Sequence, residues 1–427
     1  MFEVSMTAAG NPLTVTKHGR ESGAIARPVA HRLRVAASAA HRPASSGPAS
    51  LPGRRSSLSH VVQRHCAGGA RRNGRRHAAV VAEASDSYIV NGDIGGTNAR
   101  LQVWKVNGGS VVEQVFQEIF PTKDFDSFPA VLAKMQSQLP AEVKISVGCF
   151  AVAGAVVDQK CTMTNLGWEI NGPELAKEFG YKVGILNDFE AVGYGVRCVD
   201  DDYILKLNDV PAVEKAPVAV LGPGTGLGEA QLFWDDSQGA YKVYPSEGSH
   251  ADFAPRGWKQ RALSQFVEHK LGFCEVESVG CGSGLERIYA FLISDEGPHS
   301  EDLLQYFTAN WESNKPIPLK NAPEISKGAL DGTCSISREA VDMMLSIIGA
   351  EASHMALRSL ARGGVYIAGG ITPKVIDRLH FGGLLEAFLS KKARFFNFLK
   401  TVPLTVILDE KVGLLGSREY GIQMLSK

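Results

Sequence analysis

The sequence predicts an α/β protein whose folded part has two lobes, each a mixed sheet flanked by helices. Two glycine-rich turns lie about 130 residues apart, and each separates two strand-like runs. Alternating strand and helix patterns follow both turns. The part of the chain after about residue 85 is roughly 340 residues long, which is too long for one ordinary core. Two lobes are therefore expected.

The first glycine turn comprises residues 92–97, Gly92-Asp93-Ile94-Gly95-Gly96-Thr97, between the apolar run 88–90 and the strand-like run 101–106. Gly95 and Gly96 are expected to allow positive φ and to leave backbone N–H groups uncovered, which suits anionic oxygens. Thr97 adds a hydroxyl donor, and Asp93 is a candidate ligand of a hydrated Mg²⁺. An ordinary hairpin turn is the alternative, because short glycine motifs have many false positives.

The second glycine turn, residues 222–228, repeats this pattern as Gly222-Pro223-Gly224-Thr225-Gly226-Leu227-Gly228. A dinucleotide fingerprint would open a helix and would have glycine at the position of Leu227, so that interpretation fails. No Walker A loop occurs either. Two phosphate-binding hairpins predict two related lobes that face each other across one nucleotide.

Hydrophobic periodicity and the positions of Gly, Pro and capping residues predict the strands and helices of each lobe. In the first lobe, residues 86–215, we expect strands at 111–120, 143–154 and 182–186, and helices at 125–139, at 173–179 and from 189. In the second lobe, residues 216–427, we expect helices at 258–271, 284–292, 301–311 and 416–425, strands at 364–368 and 402–408, and a longest helix from an N-cap at Ser337 to Gly363.

Residues 1–85 differ from the rest of the chain in composition. Up to Ala82, one Lys and twelve Arg accompany two Glu, so this segment carries +11 and the remainder −11. The segment is poor in large apolar residues and is expected to be disordered. Its acid-poor, Arg- and Ser-rich composition is typical of an organellar transit peptide, with the plastid stroma ahead of a mitochondrial or cytosolic location. A permanently disordered basic tail and a misplaced start codon are the alternatives.

The remaining composition limits the possible partners. The folded part is weakly acidic, so no nucleic-acid partner is indicated. No apolar run is long enough to span a membrane. Seven cysteines lack zinc-site spacing and are interpreted as reduced thiols. Whether the chain forms a homodimer stays open.

Two polar clusters could bind a polyol. Asp188, after Asn187 at the end of an apolar strand, could accept a proton from a substrate hydroxyl; a helix cap is the alternative. Glu247 and His250 are three residues apart and could hold neighbouring sugar hydroxyls, although His250 alone would more often be structural. With Glu277, these residues supply the donors and acceptors that hydroxyl groups need.

In combination, these motifs resemble those of bacterial-type ATP-dependent glucokinases, in the actin/hexokinase/Hsp70-like group of two-lobed kinases. The resemblance covers nearly all of residues 88–427. The motifs that carry it are Gly-Asp-Ile-Gly-Gly-Thr-Asn-Ala-Arg (92–100), Met-Thr-Asn-Leu-Gly-Trp (163–168), Leu-Asn-Asp-Phe (186–189), Gly-Pro-Gly-Thr-Gly-Leu-Gly (222–228), Ser-Glu-Gly-Ser-His-Ala-Asp-Phe-Ala-Pro (246–255), Ile-Ala-Gly-Gly-Ile (367–371) and Gly-Leu-Leu-Gly-Ser (413–417).

The resemblance implies an actin-like, ribonuclease H-like ATPase architecture with a sugar cleft between the lobes. It implies phosphoryl transfer from ATP, with Mg²⁺, to the 6-hydroxyl of glucose. Asp188 would be the catalytic base, and the sugar would be held by Asn187, Asp188, Glu247, His250 and Glu277. The phosphates would meet Gly92, Asp93, Gly95, Gly96, Thr97, Gly224, Thr225 and Gly226, and the adenosine Gly369 and Gly370. A kinase of another hexose and a sugar sensor without turnover are the alternatives.

Overall fold

The computed structural model describes residues 86–294 and 321–426. The transit peptide predicted for residues 1–85 and the helix predicted for 301–311 lie outside them. The strands of the described part are β1 (Ser87–Ile94), β2 (Asn98–Asn107), β3 (Ser110–Pro121), β4 (Ile145–Val152), β5 (Lys160–Met163), β6 (Trp168–Asn171), β7 (Lys182–Asn187), β8 (Ile204–Lys206), β9 (Val218–Pro223), β10 (Leu227–Asp235), β11 (Ala240–Ser246), β12 (Gly364–Ala368) and β13 (Leu404–Ile407).

Helices cover the sheets on both faces. In the described part they are α1 (Phe128–Ser137), α2 (Gly172–Phe179), α3 (Asp188–Gly195), α4 (Gly257–Leu271), α5 (Glu277–Gly280), α6 (Gly282–Ile293), α7 (Ala322–Leu330), α8 (Ser335–Ser359), α9 (Ile376–Leu379), α10 (Leu384–Leu389), α11 (Ala393–Leu399) and α12 (Val412–Leu425). None of these helices has both the length and the apolar character needed to cross a membrane.

The first sheet has the strand order β3-β2-β1-β4-β7. β1 pairs antiparallel with β2 across the first glycine turn, and parallel with β4. Alternate residues of β4 face opposite sides, as the two-residue period of a strand requires. Phe150 packs edge-on against Phe128 of α1, with ring centroids 4.9 Å apart, whereas Cys149 and Ala151 join the core that α3 and α12 share. Both faces of the sheet are therefore covered.

The second sheet is also mixed, with the order β11-β10-β9-β12-β13-β8. β9 and β10 pair antiparallel across the second glycine turn, and β12 lies parallel to both β9 and β13. Ala219 and Leu221 of β9 face the large core formed with α4, α6, α7 and α8. Val218 and Val220 face the opposite way, into the core that contains α3. Helix α3 therefore packs between the two sheets and connects them.

Every strand and helix predicted within the described residues is present, although many element ends are shifted by one to four residues. Three shifts, at both ends of α8 and at the start of α12, have a specific structural cause. Helix α8 begins two residues before Ser337, because the Cys334 side chain caps it by accepting the Ser337 N–H at 3.4 Å. It ends before Leu360, which adopts the left-handed conformation with φ 51°. The predicted Ser337 N-cap and Gly363 end are therefore wrong. Leu360, which is 58% exposed, thus takes the left-handed position after the helix that glycine more often occupies.

The last helix begins at Val412, four residues before the predicted start at Gly416. Gly416 lies inside α12, where this helix crosses α3 so closely that a Cβ at Gly416 or at Gly195 would overlap the other backbone. Tertiary packing thus accounts for a helical glycine that intrinsic propensity alone would disfavour.

Two elements cross the lobe boundary that was predicted between residues 215 and 216. β8, expected in the first lobe, pairs with β13 of the second sheet. α12, expected in the second lobe, packs on the first sheet, where Asn91 Nδ2 donates to Leu414 O at 2.8 Å and to Ser417 Oγ at 3.1 Å. The chain therefore returns to the first sheet at its C-terminal end.

Candidate active site

A cleft of about 970 Å³ opens where loops of the two sheets meet. The first sheet contributes the β7–α3 junction and four residues of the segment after β4, which are Ala155, Val156, Asp158 and Gln159. The second sheet contributes the second glycine turn and the end of β11, and Glu277 of α5 completes the wall. Of the predicted site residues, the structure brings Asn187, Asp188, Gly224, Thr225, Gly226, Glu247 and Glu277 into this cleft.

Asn187 caps helix α3. Its Oδ1 accepts the N–H groups of Phe189 at 2.9 Å and Glu190 at 3.3 Å, which satisfies two otherwise unpaired donors of the first turn. Its Nδ2 donates to Gly154 O at 3.0 Å and ties the junction to the loop after β4. The Asn187 amide is thus mainly structural, with one Nδ2 hydrogen left for a ligand.

Asp188 is the first residue of α3, one position after the cap. Asn187 holds the cap position that was the alternative for Asp188, but the Asp188 Oδ1 also accepts the Phe189 N–H at 2.8 Å. The carboxylate is exposed to the solvent of the cleft, yet protein atoms surround it closely on most sides. This crowding, with a smaller contribution from the nearby Asp93, raises the pKa of Asp188 above its ordinary value. A carboxylate in this position can accept a proton from a bound hydroxyl.

The second glycine turn is held by backbone contacts. Gly224 N donates to Gly226 O at 2.8 Å, and Gly282 N, at the start of α6, donates to Gly224 O at 2.9 Å. Leu227 N donates to Glu277 Oε2 at 2.8 Å. A Cβ at Gly226 would lie 2.6 Å from that same oxygen, so glycine is required for this approach. Thr225, at the tip between the two glycines, faces the cleft.

The first glycine turn lies beside the cleft and does not line it. Gly95 N donates to Asn98 O at 2.9 Å, and Thr122 donates to Gly96 O at 2.9 Å and to Thr97 O at 3.0 Å. A Cβ placed on Gly95 or Gly96 would meet nothing closer than 3.6 Å, so this backbone is open to a ligand. Neither glycine has positive φ, and Gly224 and Gly226 do not either, so the predicted positive φ is wrong.

Asp93 lies at the end of β1 and forms an ion pair with Arg100, with Oδ2 and Nη1 3.0 Å apart. Both residues line a second cavity of about 280 Å³, together with Lys411. Gly92 packs against Leu101, which leaves no room for a side chain. Arg100 thus pairs with Oδ2 of Asp93, the predicted Mg²⁺ ligand, and leaves Oδ1 for a cation.

Gly369 and Gly370 follow β12 and adjoin the second glycine turn. A Cβ at Gly369 would overlap the backbone of Pro223, and Ile371 N donates to Pro223 O at 3.3 Å. Gly370 has no atom within 4 Å of the position of a Cβ, so its backbone is uncovered. These residues therefore lie at the start of the second glycine turn and do not line the cleft itself.

Glu247 and His250 lie side by side, as their spacing predicted. Glu247 precedes a 3-10 turn, Gly248–His250, and its side chain is 88% exposed. His250 Nε2 lies 3.8 Å from Glu247 Oε2. The other ring nitrogen, Nδ1, is 2.8 Å from Glu275 Oε2. Glu247 and Glu277 thus present carboxylates to the cleft, and the His250 ring stands beside Glu247.

Comparison with known proteins decides the family. The sequence profile of the glucokinase family matches residues 90–424. The chain belongs to the glucokinase family. A glucokinase of Synechocystis sp. is 34% identical over 340 residues, which covers 76% of this chain and 95% of the relative. A glucokinase of Nostoc sp. is 33% identical over 343 residues, covering 78% and 98%. The predicted activity, that of an ATP-dependent hexose kinase, is confirmed at this level.

Solved structures agree with the fold. A glucokinase from an Antarctic psychrotroph has a TM-score of 0.67 at 26% identity, covering 78% of this chain and 98% of that chain. A Balamuthia mandrillaris glucokinase, solved in complex with glucose, has a TM-score of 0.60 at 21% identity, covering 81% and 96%. At 21% identity, the similarity to the Balamuthia mandrillaris glucokinase is evidence for the fold alone. The predicted two-domain α/β fold of actin-like sugar kinases is confirmed.

Three carboxylates of this glucokinase-family site were missed from the sequence. Glu190 and Glu229 line the cleft, and burial raises the pKa of each to about 7. Glu275 contacts His250 from 25 positions along the chain. Glu229 stands in an apolar strand and resembles an outward-facing residue, whereas Glu275 shares no periodicity with His250. No local sequence pattern distinguishes Glu229 or Glu275 as a site residue.

Proposed function

We propose that this chain transfers the γ-phosphoryl group of ATP to the 6-hydroxyl of glucose, with Asp188 as the catalytic base. One observation carries the assignment: Asn187 caps α3, which leaves the Asp188 carboxylate to face the same cleft as the second glycine turn. A hydroxyl bound between them would meet a proton acceptor on one side and the phosphoryl donor on the other. Catalysis then consists mainly of positioning and charge stabilisation.

The sugar is proposed to contact Glu247, His250 and Glu277, with a weaker contribution from Asn187. Carboxylates accept from sugar hydroxyls, and the histidine ring adds a group whose role depends on its protonation. Glu277 is already bonded through Oε2 to the backbone of the second glycine turn. The same carboxylate therefore joins the proposed sugar site to the proposed phosphate site.

The nucleotide is proposed to bind as its Mg²⁺ complex, with phosphates at the two glycine turns and adenosine near Gly369 and Gly370. The lining of the cleft includes six carboxylates and, among the described residues, neither Lys nor Arg. A bare polyphosphate would be repelled here, so a cation must accompany it. Asp93, with Oδ1 left by Arg100, fits a Mg²⁺ held mainly by water and phosphate oxygens. Such an ion would neutralise the phosphates during transfer.

A substrate panel tests the proposal. Purified protein is given ATP and Mg²⁺ with glucose, mannose, fructose or 6-deoxyglucose, and ADP release is followed in a coupled assay. Glucose should give the highest kcat/KM, and 6-deoxyglucose, which lacks the acceptor hydroxyl, should inhibit without turnover. A higher kcat/KM for another hexose would reassign the substrate. Glucose binding without turnover would support the sensor alternative.

For the basic N-terminal segment, we propose that residues 1–85 form a plastid transit peptide. The support for this proposal is the composition of the segment. Up to Ala82 it carries a charge of +11, because it has twelve Arg and one Lys but only two acidic residues. Residues 1–85 fused to a fluorescent protein should carry it into plastids. A mitochondrial signal would move the assignment to that organelle, and a diffuse cytosolic signal would contradict targeting.

A further inference from the structure

We propose that Glu275 is a positioning residue for sugar recognition, which holds the His250 ring so that Nδ1 faces away from the sugar and Nε2 is presented beside Glu247. This inference rests on the proposed role of His250 as a sugar ligand. Its geometric basis is a contact of 2.8 Å between His250 Nδ1 and Glu275 Oε2, while Nε2 lies 3.8 Å from the Glu247 carboxylate.

The backbone holds the two residues at this distance. Segments 251–253 and 274–276 pair antiparallel: Phe253 N donates to Cys274 O at 2.9 Å, and Val276 N donates to Ala251 O at 3.0 Å. An isolated bridge joins Asp252 to Glu275. Glu275 is held further because its N–H donates to Ser278 Oγ at 3.2 Å. The carboxylate is therefore supported by ordered backbone on both sides.

The carboxylate determines which ring nitrogen carries hydrogen. An ionised carboxylate can only accept, so the hydrogen of a neutral His250 must be on Nδ1. The Nε2 of the neutral ring is then an acceptor beside the Glu247 carboxylate, a repulsive pairing. Protonation converts Nε2 into a donor whose single hydrogen can bond to Glu247 or to a sugar hydroxyl. The protonated ring is thus the form suited to recognition.

The carboxylates around the His250 ring favour its protonated form. Glu275 is the largest cause that raises the pKa of His250, and Glu277 and Glu247 add to the rise, while partial burial opposes it. With the pKa raised, the ring keeps its proton to higher pH. Removing the Glu275 charge should therefore shift the pH at which glucose affinity is lost toward lower values.

Two substitutions separate geometry from charge. Glu275→Ala removes the acceptor, and we expect the glucose KM to rise by about 2- to 12-fold, the usual contribution of one hydrogen bond. The KM for ATP and kcat should each stay within about twofold of the parent value, a change much smaller than tenfold. Glu275→Gln keeps an acceptor without charge, so its glucose KM at low pH should approach the parent value while its pH midpoint moves down. Asp252→Ala is the control, since it removes a charge from the same strand pair without contacting the ring.

A double-mutant cycle decides whether Glu275 acts through His250. In the His250→Ala background, Glu275→Ala should change the glucose KM no further. An equal rise in both backgrounds would overturn the proposal, because Glu275 would then support the loop alone. An unchanged glucose KM in Glu275→Ala with an unshifted pH profile would also overturn it. If His250→Ala by itself leaves the glucose KM unchanged while glucose is still phosphorylated, the assigned sugar role of His250 fails instead.

Discussion

Glu229 gives the protein a pH-dependent stability that one substitution should remove. This residue of β10 is 3% exposed, and its Oε1 has no hydrogen-bond partner among the described residues. The carboxyl packs under Gly248, where a Cβ would overlap it. Burial raises the pKa of Glu229 from 4.5 to about 7, and the Glu351 carboxylate adds to the rise. The acid therefore stays protonated in the folded state at pH values where the unfolded chain has lost the proton.

The magnitude follows from linkage. A rise of the pKa from 4.5 to about 7 corresponds to about 3 kcal/mol, at roughly 1.4 kcal/mol for each pKa unit. This stabilisation is fully present below pH 4.5. It is lost as the pH rises toward 7, because between these values the folded state binds more protons than the unfolded state. Above pH 7, Glu229 therefore lowers the free energy of unfolding relative to a group that does not titrate.

Glu229→Gln keeps the shape and removes the titration. The free energy of unfolding of the variant, minus that of the parent, should increase by about 3 kcal/mol between pH 4.5 and 8. Urea unfolding followed by tryptophan fluorescence at several pH values measures this difference, and other titrating groups cancel. Glu268→Gln, on the exposed face of α4, is the control and should give a flat difference. A Glu229→Gln difference that varies by less than about 1 kcal/mol would refute the reasoning.

Three further predictions concern the proposed site and the leader. Glu247→Gln should raise the dissociation constant for glucose by about 10- to 150-fold with little change for ATP, measured by calorimetry; unchanged glucose affinity would remove Glu247 from the sugar site. Glu277→Ala should raise the KM of both glucose and ATP, each by about 10-fold or more, because the carboxylate also binds Leu227 N; a change in only one KM would contradict that dual role. A chain that starts near Ala82 should match the kcat and thermal midpoint of the full chain, and aggregation or loss of activity would show that the leader is structural.

Element types were predictable because apolar runs and glycine punctuation are local signals. Both strand–turn–strand units and most helices followed from them. The helix ends depended on long-range contacts or on unusual caps. Cys334 caps α8 through sulfur, and Gly416 lies within α12 because α3 crosses there. The hydrophobic periodicity of the sequence shows neither the Cys334 cap nor the crossing of the two helices.

The site was predictable where its residues are close in sequence. Glu247 and His250 follow from a spacing of three, and Asp188 from the end of a strand. The positive φ predicted for Gly95 and Gly96 is wrong, although their backbone is open as expected. Gly226 is needed for the close approach of Glu277, a contact that the sequence did not indicate. Glu275 reaches His250 only through the pairing of two distant segments, so sequence spacing could not reveal it.

The central claim is that Asp188 takes the proton of the sugar hydroxyl, and kcat of Asp188→Asn tests it most directly. Asparagine is nearly isosteric but cannot accept the proton, so kcat should fall by about 10²- to 10⁴-fold with near-normal binding of glucose and ATP. Glu174→Gln, which removes a carboxylate from the first turn of α2 away from the cleft, controls for the loss of charge at a helix start and should keep the parent kcat. Activity of Asp188→Asn within about threefold of the parent would contradict the account.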